Sequence, residues 1–272
     1  MKILNSHVGR MYIITILLLL ITTVISSYIL NYIPYNLIIS VTICAVAELF
    51  LKKYYIKQKD AKIPFSGIIT GFIIGLVAPV SGFIISILIA SIAAVISKLF
   101  IKIKNVNIFN PAAFGLLVGL GAMLIGDQWW GSISYSIGAF TLPIAIIFIV
   151  SAYESKRVPT ALSFAIIFII ISFIFNADHS IDNLFTSIIS INYLFAFLMI
   201  TEPKTSPYKI YPQILYGAFI ALLSYAIAYI GILYPYLIAL LVANVIYAVY
   251  RRNGNRLIPK KTILHNTHTT IT

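Results

Sequence analysis

Long apolar runs occupy most of this chain, and only short polar loops separate them. A run of about 20 apolar residues is long enough to cross the hydrocarbon core of a bilayer as an α-helix. Backbone groups inside a bilayer must bond within the protein, which favours helices over open strands. We predict ten transmembrane segments, at approximately residues 11–33, 35–51, 65–78, 80–101, 109–125, 133–152, 158–175, 184–201, 212–230 and 233–250.

The composition agrees with an all-α integral membrane protein surrounded by lipid. Hydrophobic residues make up 61% of the chain and charged residues only 10%, against about 25% charged residues in soluble domains. The net charge of +12 comes from loop cations, which is typical of membrane edges and argues against a nucleic-acid partner. The single cysteine, Cys44, excludes an internal disulfide, and the sequence has no recognisable metal-ligand motif. The sequence by itself assigns no catalytic residues, and it is compatible with both an enzymatic and a non-enzymatic function.

The distribution of charge predicts the orientation. If the N-terminus is cytoplasmic, all 19 Lys and Arg, Lys98 among them, fall on the cytoplasmic side, whereas the outer loops hold Asp127, Asp178 and Asp182. The positive-inside rule therefore predicts a multi-pass protein of the cell membrane with both termini in the cytoplasm. In this topology the Trp129–Trp130 pair lies at the outer membrane interface, where aromatic belts occur.

An internal repeat is also visible in the sequence. Pro79 and Pro111 have the same separation as Pro203 and Pro235, and a Leu-Leu-Val helix follows each second proline. Because equivalent positions fall on opposite membrane faces, we predict two inverted five-helix repeats, with some helices broken and a site where the halves meet. The predicted domains are a single transmembrane domain at 1–250, with repeats at about 1–125 and 133–250, and a basic cytoplasmic tail at 251–272.

The fifth segment begins with Asn110, Pro111 and Ala112, and Gly115 follows one turn later. Asn is a favourable N-cap, and Pro is suited to the first position of a helix. The N–H groups and partial positive charge of a helix N-terminus suit a phosphate, a carboxylate or an electron-rich ring edge. The alternative is a capped helix start whose small residues only allow close packing.

A polar turn follows the eighth segment and contains Glu202, Pro203, Lys204 and Thr205. An acid at a membrane edge, beside hydroxyls and a lysine, can carry a cation or a proton. The alternative is a Glu202–Lys204 pair on an ordinary interfacial turn. Asn244 lies in the middle of the last segment, where a buried amide usually bonds across helices.

At these residues the sequence resembles the RnfD/NqrB family, whose members are membrane components of the Rnf electron-transport complex and of the sodium-pumping NADH:quinone reductase. The similar stretches occur in the family order over most of residues 60–251, and they are IPFSGIITGFIIGLVAPV, KNVNIFNPAAFGLLVG, SKRVPTALSFAI, FLMITEPKTSPYKIYPQILYGAFIALLSY and LYPYLIALLVANVIYAVYRR. Asn110 and Pro111 match the FNPA element of the family, and Asn244 matches the Asn of its last helix. Glu202, Pro203 and Thr205 match an acid–Pro element in which the family usually has Asp.

The resemblance implies a urea-transporter-like inverted-repeat fold and a membrane subunit of an electron-transport system that translocates Na⁺ or H⁺. It implies other electron-transport subunits as partners. It also implies a flavin near the four residues at the start of the fifth segment, and an ion pathway along Glu202, Pro203, Thr205 and Asn244. The family attaches one flavin covalently in a Ser-Gly-Ala-Thr element, and this sequence lacks that element. We therefore expect FMN or riboflavin to be bound noncovalently. The alternative is a channel or carrier for a small solute or ion on the same fold, without redox activity.

Overall fold

Helices form nearly all of the regular structure in a computed structural model that describes residues 7–57, 63–81, 83–103, 106–132, 141–175 and 186–253. The α-helices are α1 (His7–Leu30), α2 (Tyr35–Phe50), α3 (Phe65–Val77), α4 (Ile84–Phe100), α5 (Pro111–Gly121), α6 (Thr141–Glu154), α7 (Val158–Phe175), α8 (Ile210–Tyr229) and α9 (Pro235–Asn253). Two π-helices (Leu51–Tyr55, which continues α2, and Phe195–Met199) and a short antiparallel ladder of β1 (Lys102–Ile103) with β2 (Val106–Asn107) complete the described elements.

Four stretches of the described chain are long and apolar enough to span a membrane. They are Val8–Leu30, Tyr35–Tyr55, Val158–Phe175 and Ile210–Tyr229. Large apolar side chains such as Leu17 and Ile166 are about half exposed on these helices, as lipid-facing residues are. These features confirm the prediction of an all-α membrane protein, while the count of ten segments stays a prediction.

Some predicted features lie outside the described residues. They include the first part of the sixth segment, the loop that contains Asp178 and Asp182, and the tail beyond residue 253. The eighth segment is described only from residue 186, and it has helical residues at 186–189 and at 193–199, the latter ending in the π-helix Phe195–Met199.

Proline sets the start of several helices. Pro111 and Pro235 are the first residues of α5 and α9, and Pro34 and Pro64 directly precede α2 and α3. Proline suits these positions because the first turn of a helix has no partner for its N–H groups. α5 has only 11 residues and therefore rises about 16 Å, which is about half of a 30 Å hydrocarbon core. The short fifth segment is thus a half-length helix whose N-terminus lies within the protein.

Helix packing follows a related pattern in the two halves of the chain. In the first half α4 packs against α5, α2 against α3 and α4, and α1 against α3. In the second half α8 packs against α9, α7 against the second π-helix and α8, and α6 against the same π-helix. Contacts of α1 with α6 and of α5 with α9 join the halves. The inverted relation between the halves stays a prediction.

The interface-belt interpretation of Trp129 and Trp130 is wrong. Trp130 is 1% exposed and its indole Nε1 donates to the Gly75 carbonyl at 2.7 Å. Trp129 is also buried and donates to the Asp127 carboxylate at 2.7 Å. Because each indole N–H has an acceptor inside the protein, neither ring needs the membrane interface to satisfy it.

Candidate functional site

Asn110 caps α5 as the sequence predicts. Its side-chain Oδ1 accepts a hydrogen bond from the Ala113 N–H at 3.0 Å, and Pro111 occupies the first helical position. Pro111 has no N–H group, so the N–H of Ala112 is the first backbone donor of this turn that has no acceptor within the helix. The helix start is held in place by local chemistry and points its positive end into the protein interior.

Asn244 of α9 fixes this helix start to the rest of the fold. Its Oδ1 accepts from the Asn110 backbone N–H at 2.7 Å, and its Nδ2 donates to Tyr216 Oη at 2.5 Å. The side-chain Nδ2 of Asn110 also donates to the carbonyl of Met199, the last residue of the second π-helix, at 3.1 Å. Asn244 is fully buried, so the structure gives it the interhelical bonding role that the sequence favours.

The turn after the second π-helix, residues 202–206, which we call the Glu202 turn, is closed by its own hydroxyl groups. Thr205 Oγ1 donates to a carboxylate oxygen of Glu202 at 3.2 Å, and Ser206 Oγ donates to the Glu202 carbonyl at 2.7 Å. A weaker contact of 3.5 Å joins the Asn244 amide to the Thr205 carbonyl. The Glu202 turn and residues 110–112, which we call the α5 start, are therefore parts of one hydrogen-bonded assembly.

A cavity of about 400 Å³ opens between these two elements. This volume lies in the range of small-molecule and cofactor sites, which is about 300–1,000 Å³. α1 and α3 provide much of its apolar wall, and the α6–α7 connection provides polar groups on another side. Its polar lining residues include Tyr12, Ser66, Thr70, Asn110, Ser151, Glu202 and Lys204, and its apolar ones include Met11, Ile69, Ile73, Ala112 and Leu198.

The cavity brings together most of the predicted site residues. Asn110, Pro111, Ala112, Glu202 and Pro203 line it directly. Thr205 and Asn244 are buried behind it and position the lining residues through the hydrogen bonds given above.

Gly115 has a packing role. A Cβ atom at Gly115 would overlap the Ala90 carbonyl oxygen on α4 and would also crowd Ala94. Gly115 is thus a point of close helix contact, and its assignment to a cofactor site stays a prediction.

The cavity holds an acid whose ionisation is disfavoured. Glu202 follows the last residue of the predicted eighth segment and is half-buried. Burial raises the pKa of its carboxyl, while Lys204, Lys98 and the Thr205 hydroxyl oppose that shift. A carboxyl of this kind is suited to taking up and releasing a proton at the cavity wall.

Arg157 is a structural cation that the sequence did not single out. Its guanidinium is buried, donates to Ser206 Oγ at 3.1 Å, and lies over the Tyr208 ring. It also donates to the Ser155 carbonyl at 3.3 Å and the Lys156 carbonyl at 3.2 Å. Burial lowers the pKa of this guanidinium. Arg157 therefore ties the α6–α7 connection to the Glu202 turn, a role that its position in a cationic loop does not reveal.

A buried ion pair lies on the helices behind the cavity. Glu48 of α2 is fully buried and contacts the amines of Lys98 on α4 and Lys52 one turn further along the chain. Lys98 lies within the predicted fourth segment, because α4 continues to Phe100, and its side chain is only 6% exposed. A signal was present in the sequence, since Glu48 is the only acidic residue of the segment 35–51, and acids inside such segments are rare and paired.

Glycine provides the space for the Glu48 carboxylate. A Cβ atom at Gly67 of α3 would lie 2.7 Å from Glu48 Oε2 and 2.8 Å from the Cys44 carbonyl oxygen. α3 therefore approaches the ion pair with its backbone, which shields the carboxylate from lipid.

Comparison with known proteins gives one family match. Residues 118–252 match the sequence model of the NQR2, RnfD, RnfE family, which is about half of the chain. The matched region includes the Glu202 turn, α8 and α9, and the α5 start lies just before it. No curated protein matches the chain.

Proposed function

Because the chain belongs to the NQR2, RnfD, RnfE family, we propose that it is a membrane subunit of an Rnf- or Nqr-like electron-transport system whose cavity binds a flavin noncovalently. FMN or riboflavin is the proposed cofactor. The observation that carries this proposal is the cavity of about 400 Å³ between the α5 start and the Glu202 turn. The other electron-transport subunits are its proposed partners.

The lining of the cavity suits a flat, partly polar ring system. Ile69, Ile73 and Leu198 supply apolar surface, while Asn110 and Thr70 supply polar groups. Binding sites of this class combine mostly apolar walls with a few well-placed polar groups. The N-terminus of α5 adds a partial positive charge, which favours electron-rich atoms at the ring edge or a phosphate group.

A flavin supplies one- and two-electron chemistry when bound, and the chain supplies the surroundings. Asn110 and the backbone of Ala112 offer donors that would orient the ring edge. Glu202 holds or releases a proton at the same cavity wall, because burial keeps its pKa raised. The absence of a Ser-Gly-Ala-Thr element from the sequence leaves noncovalent contacts as the means of holding the cofactor.

Translocation of Na⁺ or H⁺ is the second part of the proposal. Glu202 and Thr205 bond to each other beside the cavity, and the Glu48–Lys98 pair lies inside the helix bundle. Ionisable groups at membrane depth mark ion or proton pathways in many membrane proteins. Pro203 and Asn244 contribute by holding the turn that carries Glu202.

The proposal is tested by the absorption spectrum of the purified full-length protein, recorded before and after denaturation and filtration. We expect a flavin spectrum that moves into the filtrate. A tryptophan at Ser66, which lines the cavity, should weaken rebinding of FMN and riboflavin roughly tenfold or more, equivalent to at least about 1.4 kcal/mol. Thr42→Trp, at an exposed position of α2, is the matched control and should rebind flavin like the wild type.

Two outcomes would contradict the flavin proposal. A protein that stays colourless after incubation with both flavins would remove it, and equal binding by Ser66→Trp and Thr42→Trp would move the flavin to another site. Flux of a small solute or ion through liposomes without a reductant would then support the channel or carrier. Whether the protein translocates ions with electron transport or acts as a channel or carrier, Glu202→Ala with full transport activity would remove Glu202 from the ion pathway.

A further inference from the structure

A second concave surface lies on the outside of the helix bundle, between α8 and α9. It encloses about 370 Å³ and is almost entirely apolar. We call it the α8–α9 groove, and its walls include Tyr211, Leu215 and Phe219 of α8 with Ala243, Ile246 and Tyr250 of α9.

The groove runs along the depth of the membrane. Tyr211 and Phe219 are eight positions apart on α8, which corresponds to about 12 Å along the helix axis. One leaflet of the hydrocarbon core is about 15 Å deep, half of the 30 Å total. The groove therefore has the length of most of one leaflet, and Leu215 and Ile246 within it are about half exposed.

Among the described residues, positive charge is concentrated at one end of the groove. α8 begins directly after the exposed Lys209, and the last turn of α9 carries Arg251 and Arg252. Arg251 lies over the ring of Tyr247, another groove residue, with 5.6 Å from its guanidinium carbon to the ring centroid. The opposite end, at Phe219 and Ala243, lies deeper in the two helices, away from these cations.

From this arrangement we infer that the α8–α9 groove binds an anionic phospholipid. An acyl chain lies along the apolar walls, and the phosphate group lies beside Lys209 and Arg251. Lysine and arginine at a membrane surface attract lipids whose headgroup carries a net negative charge, because no ammonium group neutralises the phosphate. A transmembrane helix of a partner would match the apolar walls, but an apolar helix would place no anionic group beside Lys209 and Arg251.

The inference is independent of the flavin cavity, because the groove and the cavity share none of their lining residues. It is tested by native mass spectrometry of the delipidated full-length protein in detergent. The probes are phosphatidylglycerol and phosphatidylethanolamine with identical acyl chains, added at equal concentrations. We expect the wild type to retain phosphatidylglycerol preferentially.

Two variants separate the charge from the groove. Lys209→Gln should reduce the preference for phosphatidylglycerol about fivefold, as expected for one lysine beside a headgroup of net negative charge, whereas Lys53→Gln, at another exposed lysine, should not. Ile246→Trp should fill the groove and abolish retention of both lipids. Val249→Trp is its control, because Val249 is similarly exposed on α9 but does not line the groove.

Three results would overturn the inference. The first is equal retention of the two lipids by the wild type. The second is lipid retention by Ile246→Trp equal to that of Val249→Trp. The third is the loss of a bound polypeptide or of a dimer from Ile246→Trp without loss of lipid, which would assign the groove to a helix.

Discussion

Replacing Glu48 by Gln removes the carboxylate that contacts the buried amine of Lys98 while keeping the size of the side chain. Glu48 is fully buried, Lys98 is 6% exposed at its side chain, and Lys52, the second partner of Glu48, is 28% exposed. The three side chains therefore have unequal access to solvent and headgroups. Because of this difference in exposure, replacing Glu48 and replacing Lys98 should change the stability by different amounts.

The structure gives the order of the effects. In Glu48→Gln the amine of Lys98 is left buried without its counter-ion, which costs about 3–5 kcal/mol in unfolding free energy. In Lys98→Met the carboxylate keeps Lys52, so only one charged hydrogen bond is lost, at about 1.5–3 kcal/mol. The double variant Glu48→Gln/Lys98→Met leaves no unpaired buried charge. Its loss of unfolding free energy should be smaller than the sum of the two single losses by at least about 1 kcal/mol.

The assay is thermal unfolding of the detergent-purified variants, followed by tryptophan fluorescence. For a chain of this size the Glu48→Gln cost corresponds to a Tm lower by roughly 6–20 °C. Lys53→Met, at an exposed lysine beside Lys52, is the control and should leave the Tm close to that of the wild type. A Lys98→Met effect as large as that of Glu48→Gln, or single effects that simply add, would refute this reasoning.

Three further predictions concern the α5 start and the cavity. Gly115→Ala should lower the unfolding free energy, measured by thermal unfolding, by about 1–3 kcal/mol, because the new Cβ overlaps a backbone carbonyl of α4. Gly121→Ala is the control, because a Cβ at Gly121 would meet no atom within 4 Å. Its unfolding free energy should stay within about 0.5 kcal/mol of the wild-type value. Asn244→Ala should lower the unfolding free energy by about 1–3 kcal/mol, because the buried Asn110 N–H loses its acceptor, and an unchanged Tm would contradict this loss. The same variant should also weaken flavin rebinding. Burial raises the pKa of Glu202 above 4.5, so its stabilising contribution is present below pH 4.5 and is lost as the pH rises through the raised pKa. Glu202→Gln should therefore flatten the fall of Tm with pH, and parallel curves for the two proteins would exclude the shift.

The structural roles that were predicted correctly, a helix cap and a buried amide with a partner, depend on local chemistry. Asn110 before Pro111 specifies a helix cap through atoms within four residues, and the structure has that cap. Asn244 in an apolar helix requires a bonding partner inside the protein, and it has several. The identities of those partners were not predictable, because they come from segments far away in the chain.

The features that the sequence misassigned or missed depend on what a side chain meets in three dimensions. Trp130 lies near the end of an apolar run, where an interface position is the ordinary expectation, and Lys98 lies near the end of the fourth segment, with no partner that the sequence identifies. In the structure the Gly75 carbonyl accepts from Trp130, and Glu48 neutralises Lys98. A polar group can be buried wherever the fold supplies a partner, and a single sequence does not show where the fold does so.

The sequence alone determined that this is an all-α membrane protein with helices beginning at prolines, because the preference of an apolar segment for lipid and of proline for a helix start are properties of the segment itself. The tertiary structure decided which segments meet. It placed the Glu202 turn against the α5 start to form a cavity, and it used Gly67 to bring the backbone of α3 up to Glu48. These arrangements depend on packing between segments that are distant in sequence, where contact energies of many side chains act together.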